Sequence, residues 1–524
     1  MLRAIFSRRN IFSASGFLGA LHSWSGRAYA ASLKTGPTIY QSIGVRPLVN
    51  CKGTFTIISG SQSLPEVKAA MESASRHYIH LDELMAAVGQ RLAELTRAEW
   101  GMVSNGCAAA LCHATAACIA GADPEKLQRL PKLDGMKNEV ISPAYSRNVY
   151  DHAIRATGAR MVTVKSREEY LRAFNDRTAM VMILAGPGDR GPLGLATLAP
   201  LAKERGVPVL VDAAAERLTI PNVHLAAGAD LVAYSGGKCL RGPQAAGLLL
   251  GRKDLIQAAW LHSAPHHAFG RSMKAGKEEI IGMLAAVEAW VTRDHKAEWA
   301  AWESWLGAIS SAVQAVPGVS TEILQPDSLS NNAPQLRIKW DGEQLGVCGR
   351  TVEKMLLEGE PRIIVGGAMG HRRTGVKESS LTIMPYMMMP GDAAIAARRI
   401  AEVLSRPPKE DFSHPAPAAS VAGQWDADLQ FLLGQARHRL VFEQRDNGAL
   451  TGSHFSEALS ADLRGAVEGR EVWFRSAHRY EGTSIGYEFT GQLDGDTLTG
   501  TVEMGEYGQA RFTARRHAYG GGRG

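Results

Sequence analysis

Lys238 stands in Ser235-Gly-Gly-Lys238, just after an apolar run that reads as a strand, and Gly242-Pro-Gln244 follows it. A lysine in a glycine-rich turn at a strand end reaches a carbonyl without steric obstruction, so its amine can form a Schiff base. Asp212 closes the apolar run before it, Pro208-Val-Leu-Val-Asp212. A carboxylate in that place can keep a proton on a heteroaromatic nitrogen and let the ring absorb carbanion charge. The third element is Ser104-Asn-Gly-Cys-Ala-Ala-Ala110, which leads into a small-residue helix through Ala120. The free N–H groups and positive dipole end of such a helix take a phosphate, and small residues let the ligand approach the backbone. Each element alone has an ordinary reading: a loop lysine, an acid capping Ala213 to Glu216, an Ala-rich packing helix. Together they meet the needs of a phosphorylated pyridine aldehyde, which is pyridoxal 5'-phosphate (PLP).

These groups work together only if the chain brings them to one edge of a sheet. Val207–Asp212, Ala229–Tyr234, Gly247–Gly251 and Met180–Leu184 read as buried parallel strands, because each is a short apolar run without alternation. Leu195 to Arg205 has helical spacing and stops at Gly206. Strand, helix, strand in this order predicts an α/β fold, a mostly parallel sheet with helices on both faces. Asp212 and Lys238 would then meet at the carboxyl edge, where such sheets bind ligands. Lys274 to His295 reads as a long helix leading out of this domain, which spans about 43–300. A small α/β segment follows over 301–405, with a Leu381-Thr-Ile-Met384 strand and a final helix from Asp392 to Leu404. A Pro-rich linker covers 406–422. Residues 423–517 alternate in short stretches such as Arg439-Leu-Val-Phe-Glu443 and Glu471-Val-Trp-Phe474, separated by turns such as Asp446-Asn-Gly448. That pattern predicts an antiparallel, β-barrel-like module. Thr501–Gly508 and Gly423-Gln-Trp425 suggest a lipocalin-like or other small ligand-binding barrel, whose aromatics read as filling. Such a module could bind a ligand, cover the active site or stabilise an oligomer.

Taken in order, the motifs resemble the selenocysteine-synthase-like (SelA-like) branch of fold-type-I PLP enzymes. That group includes bacterial seryl-tRNA selenium transferase and D-glucosaminate-6-phosphate ammonia-lyase. The resemblance covers most of 43–405 and rests on Val49-Asn-Cys-Lys-Gly-Thr54, Ala98–Ala109, Pro208–Glu216, Tyr234–Gln244 and Gly270–Glu279. It implies Lys238 as the Schiff-base lysine and general base, and Asp212 as partner of the pyridinium. It also implies that Ser104, Gly106, Cys107 and Ser235 hold the phosphate. Arg271 and Lys274 look like family positions near the active site, reached from a partner subunit, or else a solvated helix start. Arg147 and His152 fall in the segment that usually carries the group covering the ring, and Arg147, like Arg271 and Lys274, is a candidate substrate contact. Relatives often have a histidine near Ser146, and the serine here leaves the covering residue open. Arg362 is a candidate carboxylate clamp, equally readable as a surface arginine. The branch commonly abstracts an α-proton and expels a β substituent, which implies a lyase, or a related transferase, on a small amino acid or amino-sugar acid. Racemase, aldolase, selenium transfer to a tRNA-bound residue and a non-catalytic scaffold remain open. A homodimer or larger assembly is implied by resemblance only.

Bulk properties narrow the field. Hydrophobic residues make up 45% and charged residues 21% of 524, an ordinary globular balance. The net charge of +6 is mild and no dense Lys/Arg block stands in the body, so a nucleic-acid partner gains little support. Six cysteines show no CxxC pair and no metal spacing, and no metal site is expected. At the N-terminus, Ser7-Arg8-Arg9-Asn10-Ile11-Phe12 is a twin-arginine pattern, followed by apolar Ile11 to Trp24 and the small-x-small site Ala28-Tyr-Ala30. A signal peptide over 1–30 and a periplasmic mature protein are expected. The apolar stretch is too short to stay in a membrane. Export would also separate the chain from tRNA.

Overall fold

The computed structural model describes residues 33–374 and 377–518, so the signal peptide expected over 1–30 lies outside the described residues. Seven strands form the central sheet, in the spatial order Trp100–Ser104, Gly247–Gly251, Leu231–Ser235, Val209–Asp212, Thr178–Leu184, Glu139–Pro143, Arg160–Val164. Pairing is parallel from Leu231–Ser235 through Arg160–Val164. Gly247–Gly251 runs antiparallel to both neighbours, which corrects its reading as a parallel strand. All five of its residues are buried and apolar, and such a run looks the same in either direction. Gly106–Ala120 packs against this sheet with a side almost entirely of Ala, Cys and Leu, and nearly all of it is buried.

A second sheet has five strands, ordered Val49–Cys51, Ile363–Met369, Glu378–Ile383, Gln335–Asp341, Ser320–Leu324. Val49–Cys51 pairs parallel with Ile363–Val365, so this N-terminal strand belongs to the small domain and not to the large one. The helix His295–Gln314 also joins it, through Leu306, Ile309 and Val313 in the same core as Leu336, Ile338 and Leu381. The expected boundary at 300 therefore falls inside a helix that starts at Asp294, whose side chain accepts from the N–H groups of Lys296 and Ala297.

From Gly423–Gln430 to Gln509–Arg516 the chain forms a closed antiparallel barrel of eight strands in sequence order. Closure removes every free edge, and inward positions alternate with outward ones. Trp425, Phe442, Phe474 and Phe489 are buried within it, with Phe474 and Phe489 stacked at 4.4 Å. The aromatics are filling, as the pattern predicts. All six cysteines are free.

Candidate functional site

Asp212 ends its strand at the carboxyl edge, and the turn after Leu231–Ser235 carries Lys238. Register aligns Ser104, Gly247 and Ser235 across three adjacent strands at that same edge. Gly247 is needed there: a Cβ on it would lie 2.4 Å from the carbonyl carbon and oxygen of Gly106 and 2.6 Å from the nitrogen of Cys107. The start of the helix Gly106–Ala120 is thus pressed onto the sheet edge. Gly106 itself has φ +75, and a Cβ there would meet nothing within 4 Å. Open space above unbonded helix N–H groups is what a phosphate needs. Ser104 and Gly106 frame this space, with Ser104 Oγ donating to the Gly106 carbonyl at 2.9 Å.

Asp212 is 2% exposed. Its Oδ1 accepts from the Ala214 N–H at 3.0 Å and from the Cys107 thiol at 3.7 Å. Burial pushes this carboxyl above its ordinary range, while the Ala214 N–H and the positive charge of Lys238 pull it back. A buried carboxylate with so few donors is stabilised by a protonated nitrogen placed against it. Cys107, expected at the phosphate, spends its thiol on Asp212 instead. Burial, then Asp212, push that thiol well above its usual range, so it donates and does not act as a nucleophile. Its backbone N–H remains at the helix start.

Lys238 opens onto a cleft of about 350 Å³ between the two domains. Lys52, Thr54, Tyr150, Asn331 and Tyr386 line the same cleft. Tyr386 Oη bonds Thr54 Oγ1 at 2.6 Å and donates to Asn331 Oδ1 at 3.0 Å, tying both domains' loops together. Burial pushes the Tyr386 phenol up to about 12. Lys52 is a second amine in the cleft, and Tyr150 is an aromatic where the sequence offers no histidine. Burial, then Asp212 and Cys107, raise the Tyr150 phenol, whose half-exposed ring lines the cleft with Lys238. Neither was found from sequence, although Lys52 lies inside the Val49–Thr54 motif.

Other expected residues fall elsewhere. Arg147, expected at the substrate, is fully engaged: Nε pairs with Asp151 at 2.5 Å, Nη2 with Glu481 at 2.5 Å, and Nη1 donates to Thr163. The buried Asp151 carboxylate requires a cation beside it, which leaves no donor fork for a substrate. His152 is exposed. Arg362 donates to the Leu357 carbonyl at 3.0 Å and is not part of the cleft lining. Arg271 and Lys274 are exposed, in a loop that Asn105 ties to the phosphate cradle by donating to the Lys274 carbonyl at 2.7 Å.

The family model for L-seryl-tRNA selenium transferase matches residues 154–301. D-glucosaminate-6-phosphate ammonia lyase of Salmonella typhimurium is 28% identical over 70% of this chain and 98% of its own length. The 5'-C-glycyluridine monooxygenase-decarboxylase of a Streptomyces species is 30% identical over 70% of this chain and 92% of its own. A solved structure of D-glucosaminate-6-phosphate ammonia-lyase superposes with a TM-score of 0.62 at 27% identity, covering 71% of this chain and 99% of that one. The uncovered part of this chain is large enough to hold the barrel.

Proposed function

The chain belongs to the selenocysteine-synthase-like family of fold-type-I PLP-dependent enzymes, and from that premise we propose that it is a lyase acting on a small amino acid or amino-sugar acid. Its cofactor is pyridoxal 5'-phosphate, which when bound supplies an electron sink for charge left at the substrate α-carbon. The cleft fits that group: it offers a lysine amine, a buried carboxylate short of donors, and a helix start with room above Gly106. Lys238 would hold it covalently and afterwards take up the α-proton at Nζ. Asp212 would keep the ring nitrogen protonated. Ser104, Gly106 and Ser235, with the backbone of Cys107, would hold the phosphate. Tyr150 would shield the site from water, and Lys52, whose ammonium lies 5.2 Å from the Phe55 ring centre, would receive a substrate carboxylate.

The observation that carries this reading is the placement of Asp212 and Lys238 at one strand edge, close enough for the lysine charge to act on the buried acid. Elimination is favoured over the other chemistries by the ammonia-lyase relative, matched along nearly its whole length. The monooxygenase-decarboxylase relative supports a second reading, oxidative loss of the α-carboxylate. Screening purified, PLP-loaded protein against D- and L-amino acids and amino-sugar acids separates them. Ammonia and keto-acid release supports the lyase. Carbon dioxide release with oxygen uptake, and no ammonia, overturns it in favour of the second.

Export by the twin-arginine leader to the periplasm and a homodimeric or larger assembly complete the proposal. Folding in the cytoplasm before export would suit an enzyme that must first load a cofactor. An Arg8→Lys, Arg9→Lys variant should keep the protein in the cytoplasm. Size-exclusion chromatography should find more than one subunit.

A further inference from the structure

The barrel is attached to the catalytic domain at a specific place. The turn between its strands Glu471–Tyr480 and Thr483–Asp494 carries Glu481 and Gly482, and this turn sits on the segment Arg147–Asp151. Glu481 holds the left-handed φ of +52, uncommon for a glutamate and suited to the two-residue hairpin turn it forms with Gly482. Its carboxylate pairs with Arg147, whose side chain is 12% exposed and also pairs with Asp151, itself 2% exposed. Gly482 is in backbone contact: a Cβ on it would lie 2.2 Å from the Asn148 carbonyl oxygen and 2.5 Å from the Asn148 nitrogen. Just outside, Arg155 stacks over the Tyr480 ring at 5.4 Å. Tyr150 lies inside this clasped segment and lines the cleft with Lys238.

We propose that the barrel is a working part of the catalytic site: Glu481 and Gly482 are positioning residues that hold Arg147–Asp151 so that Tyr150 stands beside Lys238. The reasons are steric and electrostatic. Asp151 Oδ1 has no hydrogen-bond partner among the described residues, so its buried carboxylate depends on Arg147. Arg147 in turn is fixed by Glu481 from the barrel. Removing that anchor frees the guanidinium to swing between Asp151 and solvent, and the backbone of residues 148–150 goes with it. A shift near 1 Å in a group facing the reacting atoms costs up to about a hundredfold in rate.

This inference rests on the cleft being the PLP site, and its test separates the two. Full-length, PLP-loaded Glu481→Gln and Gly482→Ala are compared with wild type and with Asp494→Asn, an exposed site at the barrel's opposite end. Steady-state kinetics, the visible circular dichroism of the bound cofactor and melting temperature are read together. Glu481→Gln should lower kcat about tenfold with little change in KM, and should alter the visible dichroism at an unchanged melting temperature. Gly482→Ala should do the same or more, and Asp494→Asn neither. Glu481→Gln keeps the turn's shape, so it remains decisive if Gly482→Ala folds poorly. Wild-type kcat and dichroism in Glu481→Gln overturn the inference alone. A wild-type protein with no cofactor band overturns the assignment of the cleft, and the inference with it.

Discussion

At the domain cleft, Lys238 and Lys52 face space, and the buried Asp212 carboxylate at the same strand edge accepts only from the Ala214 N–H and the Cys107 thiol among the described residues. Inside the barrel, His438, His454 and His478 are more deeply buried than those two lysines and face one another, with His478 Nδ1 left without a partner among the described residues. His438 Nδ1 bonds His454 Nε2 at 2.7 Å, His454 Nδ1 bonds Ser476 Oγ at 2.6 Å, and His478 Nε2 bonds the His454 carbonyl at 3.1 Å. Their rings pack on each other and on Tyr487. Among the described residues no group of three or more such side chains is arranged to hold a metal. Burial in both places shifts protonation, yet with different consequences. Polar groups that satisfy each other specify a fold, and those aimed at a cavity are available for chemistry.

The comparison breaks if the cleft groups turn out to be structural. Lys238→Ala should cost about a thousandfold or more in kcat, read as initial rate of ammonia release, while the melting temperature stays near wild type. Asp212→Asn keeps the shape and removes the charge, and should lower kcat on the order of a hundredfold at similar KM. A barrel substitution sharpens the contrast from the other side. Burial pushes His438 down to about 4 and His454 down to about 2. An imidazole in the unfolded chain titrates near 6.5, so on acidification the unfolded state binds protons first. Stability should therefore fall as pH drops from about 6.5 toward 4, and should not depend on these groups above 6.5. Thermal melts should show the barrel transition lowered by about 5 °C between pH 7 and pH 5, and His454→Phe should flatten that slope without changing kcat. The smallest effect belongs to Arg362→Ala, which should leave kcat/KM within about twofold because its donor goes to the Leu357 carbonyl.

Much of the cleft was readable from sequence because its parts are local. Apolar runs ending in Asp212 or followed by Gly-Gly-Lys238 mark strand ends directly, and the Gly106 helix start follows from small residues. A barrel-like antiparallel module followed from alternation and turn residues, and the structure shows that it closes. Strand direction was not readable at Gly247–Gly251, since both faces are covered. The pairing of Val49–Cys51 with Ile363–Val365 joins distant parts of the chain and leaves no local mark. Arg147 has a partner 334 residues away, which turned a substrate candidate into a structural ion pair. Tyr150 was passed over for the same reason: only the folded segment, clasped by the barrel, brings it to the cleft.

Two amines share that cleft, and the account depends on which one carries the cofactor. Borohydride reduction of the PLP-loaded protein, followed by proteolysis and peptide mass mapping, decides it. A pyridoxyl adduct confined to the peptide containing Lys238 is the predicted result. An adduct on Lys52, or no adduct at all, would contradict it.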